Sequence, residues 1–161
     1  MAAPGPKISR FERPRAVRRS LSGMLLLMTS YEPEPDGEPD PGEVVWAWVP
    51  YEDDPRLGKD RPVLLIGRKV IDGTQGPVRW WAGLMLSSQD HDRDEAQEAA
   101  AGRHWMDIGT GAWDHEGRPS EVRLDRLIVL GDADIRREGA ALDRATFDLV
   151  VAEARRWHSV Q

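Results

Sequence analysis

The chain has 161 residues, of which 40% are hydrophobic and 31% charged; this suits one globular domain and excludes a disorder-dominated or membrane-embedded chain. It contains no cysteine, which removes disulfides, thiolate zinc sites and a cysteine nucleophile and is compatible with a reducing cytoplasm. The net charge of −6 counts against the broad basic field of most nucleic-acid binders.

The charge is unevenly spread. Residues 1–20 carry six basic residues against one acid, whereas residues 31–54 hold nine acids and no Lys or Arg. Pro33, Pro35, Pro39 and Pro41 alternate with those acids. Such a composition cannot bury a core, so residues 1–40 are expected to form a disordered tail, basic and then Pro/acid-rich, with the domain running from 41 to 161. The apolar run Leu21–Met28 is too short to span a bilayer, which takes about 20 residues. It lacks a clean cleavage site and reads as tail, or as sequence upstream of a start at Met24 or Met28, rather than as a secretory signal. The expectation is therefore a cytoplasmic protein with no membrane contact.

From Pro41 the elements come in close succession. Val44 to Val49 alternates apolar residues on both faces, including Trp46 and Trp48, and predicts a largely buried strand ended by Pro50. Tyr51 to Asp60 is a polar loop with turn residues at Pro55 and Gly58. Pro62 opens a second strand, Val63 to Val70, where its missing N–H costs least. Asp72-Gly73 signals a hairpin, with a loop to Gly76-Pro77 longer than a tight turn, and Val78 to Leu86 forms the third strand. Asp92 with Glu95 starts a short exposed helix that Gly102 stops. Trp105 to Ile108 is a short strand, Gly109 to Ser120 a Gly-rich loop, and Glu121–Leu124 with Leu127–Leu130 one or two further strands. Asp143 is placed to cap a final helix, Arg144–Trp157, whose Phe147, Val150, Val151, Ala154 and Trp157 make one apolar stripe. Several short strands closed by a terminal helix predict a mainly β fold with α, a small barrel.

The chemistry-bearing residues are few. No Gly-rich phosphate loop or dinucleotide fingerprint is present. His91, Asp92 and Asp94 read as a solvated loop and not as metal ligands, because no second cluster stands at ligand spacing; no metal or cofactor is expected. A triad of Ser87, His115 and Asp125 can be drawn, but no nucleophile-elbow sequence supports it. Arg61 differs, since it sits between a polar loop and a proline-fixed strand, where its fork of donors suits a phosphate. Taken alone, a surface salt bridge to Asp53, Asp54 or Asp60 is the simpler reading. Ser87 and Ser88 end the third strand with two hydroxyls, fit for a phosphate oxygen or for capping the following turn.

Three segments in order carry a resemblance: Gly42-Glu43-Val44-Val45-Trp46, then Lys59-Asp60-Arg61-Pro62-Val63-Leu64, then Leu86-Ser87-Ser88-Gln89. Together they resemble the PemK/MazF family of toxins from type II toxin–antitoxin systems, and the likeness extends over about residues 41–157. The resemblance implies an SH3-like barrel, usually a homodimer, acting as a metal-independent endoribonuclease on single-stranded RNA. In that chemistry the 2′-hydroxyl attacks the adjacent phosphorus and leaves a 2′,3′-cyclic phosphate. By matching position Arg61 is the family's catalytic arginine and Ser87 stands at its catalytic threonine. Arg56, Lys59, Arg68, Trp80 and Ser88 become RNA-facing candidates, with Trp80 equally suited to the core. An antitoxin protein is the implied partner, and operator DNA only as a toxin–antitoxin complex. The chain departs from the family at Ser87, in the acids Glu52, Asp53 and Asp54 before Arg61, and at Arg126-Leu127-Ile128, where many members read Gln-x-Arg. These departures motivate the alternative of an inactive barrel serving as a protein- or nucleic-acid-binding module.

Overall fold

The computed structural model describes residues 28–35, 37–88 and 95–158. The basic segment 1–20, most of the apolar run after it and the Asp92-led helix start lie outside these residues. Strand β1, Glu43–Pro50, lies inside the sheet, with a neighbour on each side. It pairs antiparallel with β2, Gly58–Gly73, on one side and with β7, Ile135–Ala141, on the other. Its alternation of apolar residues on both faces follows from this position. Val45, Ala47 and Val49 are buried in one hydrophobic cluster and Val44 in the other. Strand β7 was not anticipated. Its sequence, IRREGAA, has no alternating pattern, and it is a strand because β1 offers it an edge to pair with.

Strand β2 runs directly into β3, Gly76–Ser87. The connection is tighter than expected: Gly73 pairs with Gly76 across a two-residue turn, and Gly76 takes a φ of +114°, a region that glycine enters without steric cost. Strand β3 then divides its pairing. Trp80 to Gly83 pair with β6, Ile128–Gly131, whereas Leu86 and Ser87 pair with β5, Ser120–Arg123. Strand β4, Trp105–Gly109, forms the far edge against β5. The seven-stranded sheet thus runs β4-β5-β3-β2-β1-β7, with β6 branching from β3. The mainly β class with a terminal helix is as expected, but no pairing among the described residues closes the sheet into a barrel.

The expected helices are present. Helix α1 spans Glu95–Ala100 and is followed by Gly102 at a φ of +77°. Helix α2 spans Arg144–Trp157, and Asp143 accepts the Thr146 N–H at 3.0 Å as its cap. Phe147, Val150, Val151 and Ala154 are buried against Val44, Leu64, Leu84 and Leu86, each large side chain contributing about 1.5–3 kcal/mol. Trp157 lies at the rim, stacked on His104 with ring centroids 3.6 Å apart. The Pro/acid segment before β1 is extended in backbone but packed. Thr29 bridges Gly67, and the Tyr31 ring meets Phe147 at 5.1 Å. The Tyr31 hydroxyl also donates to the Leu142 carbonyl at 2.6 Å. One aromatic ring thus attaches a stretch whose composition alone predicts detachment.

Candidate functional site

Pairing between β2 and β3 begins at Val63 opposite Met85, just after Pro62, which brings no N–H to a ladder. Continuing that register by two residues sets Arg61 opposite Ser87, on the face that carries Val63 and Met85. Beyond this point β2 stays with β1 while β3 turns to β5, where Ser87 faces Glu121. The strands separate and leave a cavity of about 290 Å³. Strand β2 lines it with Lys59, Asp60, Arg61 and Pro62, and the end of β3 with Leu86, Ser87 and Ser88. Trp46 and a wall from the β4–β5 loop complete it. Of the residues expected to act on RNA, Arg61, Ser87, Lys59 and Ser88 therefore meet at one cavity.

Arg61 is half-buried and, among the described residues, its guanidinium enters no ion pair. Two of the three carboxylates expected to hold it are engaged elsewhere. Asp54 takes Arg56 at 3.0 Å, and Asp60 lies 3.5 Å from Arg136. Burial pushes the Arg61 pKa down from its ordinary value, opposed by the nearby Tyr51. A guanidinium stays charged under such a shift, so the site presents a partly desolvated cation with no donor spent on a described residue. An anion that enters gains more from such a group than from one exposed to water.

The opposite wall was not singled out from the sequence. Trp113 is 4% exposed and donates its indole N–H to Ser120 Oγ at 3.0 Å, while its carbonyl accepts from Trp46 Nε1 at 3.3 Å. Its ring lies so close over Gly111 that an added Cβ would collide with it, and that glycine beside a tryptophan was the available signal. Asp114 and Arg118 stand at the rim, paired at 3.0 Å.

The other expected residues lie outside the cavity. Arg56 is exposed and bound to Asp54 within its own loop. The Arg68 guanidinium sits 5.5 Å over the Trp81 ring. Trp80 is half-buried, opposite Gly131 and packed on the larger core cluster, so the core reading describes its position. His115 and Asp125 do not reach the cavity, and Asp125 is committed to Arg123 and to the His104 N–H, so the drawn triad does not assemble. Glu52, expected as a repelling charge, is instead neutralised: both its oxygens accept from the Arg123 guanidinium. Arg126, at a position where the family motif is altered, donates to the Pro50 carbonyl at 2.6 Å and so fixes the start of the β1–β2 loop.

No curated protein matches the chain. A family model described as PemK-like, MazF-like toxin of type II toxin-antitoxin system matches residues 40–157, which spans β1 through α2 with the whole of the cavity. Since that match covers well over half of the chain, the protein belongs to the PemK/MazF family of type II toxin–antitoxin toxins.

Proposed function

We propose that the cavity between β2 and β3 is the site of an endoribonuclease acting on single-stranded RNA. The observation that carries this reading is Arg61: a half-buried guanidinium, unpaired among the described residues, aimed at a cavity that also holds the Ser87 and Ser88 hydroxyls and Lys59. In the reaction the 2′-oxygen bonds to the adjacent phosphorus, the bond from phosphorus to the 5′-oxygen breaks, and one proton passes from the 2′-hydroxyl to the leaving oxygen. Negative charge accumulates on the two non-bridging oxygens. The Arg61 fork is suited to bind them, with Ser87 donating a further hydrogen bond and Lys59 drawing in the backbone. Family membership supplies an antitoxin as the protein partner. The same reading carries occlusion of the cavity by that antitoxin, a homodimer, SH3-like closure of the sheet, operator DNA bound only by the toxin–antitoxin complex, and action in the cytoplasm. No helix among the described residues is long and apolar enough to cross a membrane.

The test is incubation of purified full-length protein with a degenerate single-stranded RNA in EDTA. The expected products carry 2′,3′-cyclic phosphate and 5′-hydroxyl ends and are absent with Arg61→Ala. An intact RNA pool from folded protein overturns the proposal. One observation favours a second reading, a binding module without catalysis: Asp60 and Asp114 place two carboxylates at the same cavity. That reading expects RNA or antitoxin binding that survives Arg61→Ala, with no cleavage by the unmodified protein.

A further inference from the structure

We propose that the sheet face beside the cavity holds a second anion subsite, built from Arg123 and Arg126 and closed by the Glu52 carboxylate, which an RNA phosphate flanking the scissile one displaces. The inference rests on the ribonuclease reading for the identity of its ligand, but its observations are separate. Ser87 pairs with Glu121, and Arg123 lies two residues further along β5, so Arg123 shares a face with Ser87 and Arg61. Arg126 reaches that face too, with Nη1 at 3.8 Å from Met85 Sδ, and Met85 is the residue before Leu86 and Ser87 on the same strand. Three arginines thus border one stretch of sheet.

Their partners are unequal. The Arg123 side chain is 6% exposed and is held by two carboxylates of different character. Asp125, two residues along the chain, is itself mostly buried and anchored by the His104 N–H at 2.7 Å; it belongs to the fold. Glu52 comes from the polar loop between β1 and β2, and its side chain is 51% exposed. It sets two oxygens on the two terminal nitrogens of Arg123, the same fork-to-fork arrangement a phosphate makes with a guanidinium. Arg126 has no carboxylate bonded to it among the described residues. Burial holds its pKa below the ordinary value, Glu52 opposes that shift, and Arg123 and Arg61 reinforce it. When Glu52 leaves, Arg123 keeps Asp125 as its one paired counter-charge and stands beside Arg126, which has no bonded carboxylate among the described residues and lies within electrostatic reach of the cleavage arginine.

The loop is built to make that exchange. Its own contacts are internal: Leu57 N–H to the Asp54 carbonyl, Tyr51 N–H to the Leu57 carbonyl, and Arg56 to Asp54. Among the described residues Glu52 provides the only ion pair joining it to the sheet. An entering phosphate would take both Arg123 nitrogens and release the ion pair that joins the loop to the sheet, while Arg126 still holds the Pro50 carbonyl at the loop's start.

The experiment measures binding of a fluorescent degenerate single-stranded RNA to the full chain carrying Arg61→Ala, which prevents cleavage, over a series of salt concentrations. Glu52→Gln is expected to tighten binding roughly five-fold at low salt and to steepen the log–log salt dependence by about 0.7, the increment for one more neutralised phosphate on a single strand. Asp54→Asn removes the same charge from the same loop but touches only Arg56, and is expected to leave the slope unchanged. Equal effects of the two substitutions, or no effect of Glu52→Gln, overturn the subsite. Failure of the ribonuclease reading looks different: the unmodified protein binds RNA without cutting it while the contrast between Glu52→Gln and Asp54→Asn persists. Absence of RNA binding in every variant overturns both.

Discussion

Replacing Arg61 with alanine separates a functional arginine from a structural one, because the structure assigns opposite outcomes to the two. A structural arginine holds a carboxylate, and its loss strands that charge at a cost of about 3–5 kcal/mol when the pair is buried. Arg61 holds none among the described residues, and burial already disfavours its charged form. Removing it relieves that desolvation and forfeits only packing of its aliphatic stem, so unfolding free energy should stay within about 1 kcal/mol of the parent. Cleavage should behave otherwise. If the guanidinium neutralises charge that accumulates on the phosphorus oxygens, its loss costs about 2.7–4 kcal/mol of transition-state stabilisation, a fall of roughly 100- to 1,000-fold. Arg61→Lys keeps the charge but loses the two-pronged geometry, and should recover only part of the rate. Urea unfolding and single-turnover cleavage of one RNA, run on the same preparations, provide both readings. A loss of stability above about 2 kcal/mol, or an unchanged rate in folded Arg61→Ala protein, would refute the reasoning.

Three further outcomes test the framework that positions this arginine. Asp125→Asn leaves Arg123 buried with only an exposed loop carboxylate, and should destabilise by about 3 kcal/mol in denaturant unfolding. For Asp125 burial acts to raise the pKa, but the Arg123 pair and the His104 N–H outweigh it, and the group is held below its ordinary 3.8; Glu52 is held below 4.5 chiefly by its hydrogen bond to Arg123. Both folded-state values are depressed, so their stabilisation is complete above about pH 5 and drains away as pH falls through 4 and below. A pH series of melting temperatures should show that acid limb, shallower in Asp125→Asn; a limb of unchanged steepness would count against the pairing. Gly83→Ala places a Cβ against Val63 Cγ1 at the start of the β2–β3 ladder, and overpacking there should cost about 1–3 kcal/mol by thermal unfolding. A neutral result would mean that the two strands do not approach as closely as described.

Much of the fold was legible before any coordinates. Helix α2 announces itself through Asp143 as cap and the Phe147-Val150-Val151-Ala154 stripe, since both signals are local to the helix. Strand β1 is visible because burial on two faces leaves an unbroken apolar run from Val44 to Val49. Arg61 and Ser87 stood out as residues, one beside a proline and one at a strand end, before anything showed that they meet. What the chain order could not display was pairing between distant segments. Strand β7 has no pattern of its own and exists through the free edge of β1. The wall made by Trp113 depends on Ser120 and Trp46, which only the folded sheet brings to it.

The sequence by itself determined the helices, every strand except β7, and which residue types stand at the end of β2 and β3, because propensity, capping and apolar period act within a few residues. Only the tertiary structure decided the charges. Read along the chain, Arg61 has Asp53, Asp54 and Asp60 as near neighbours and Glu52 is a free acid in the same loop. In space, Asp54 turns to Arg56, Asp60 to Arg136 and Glu52 crosses to Arg123, and none of these three carboxylates pairs with Arg61. Ion pairs fall off over a few ångströms and are set by where backbones place their ends, so proximity in sequence could not assign them.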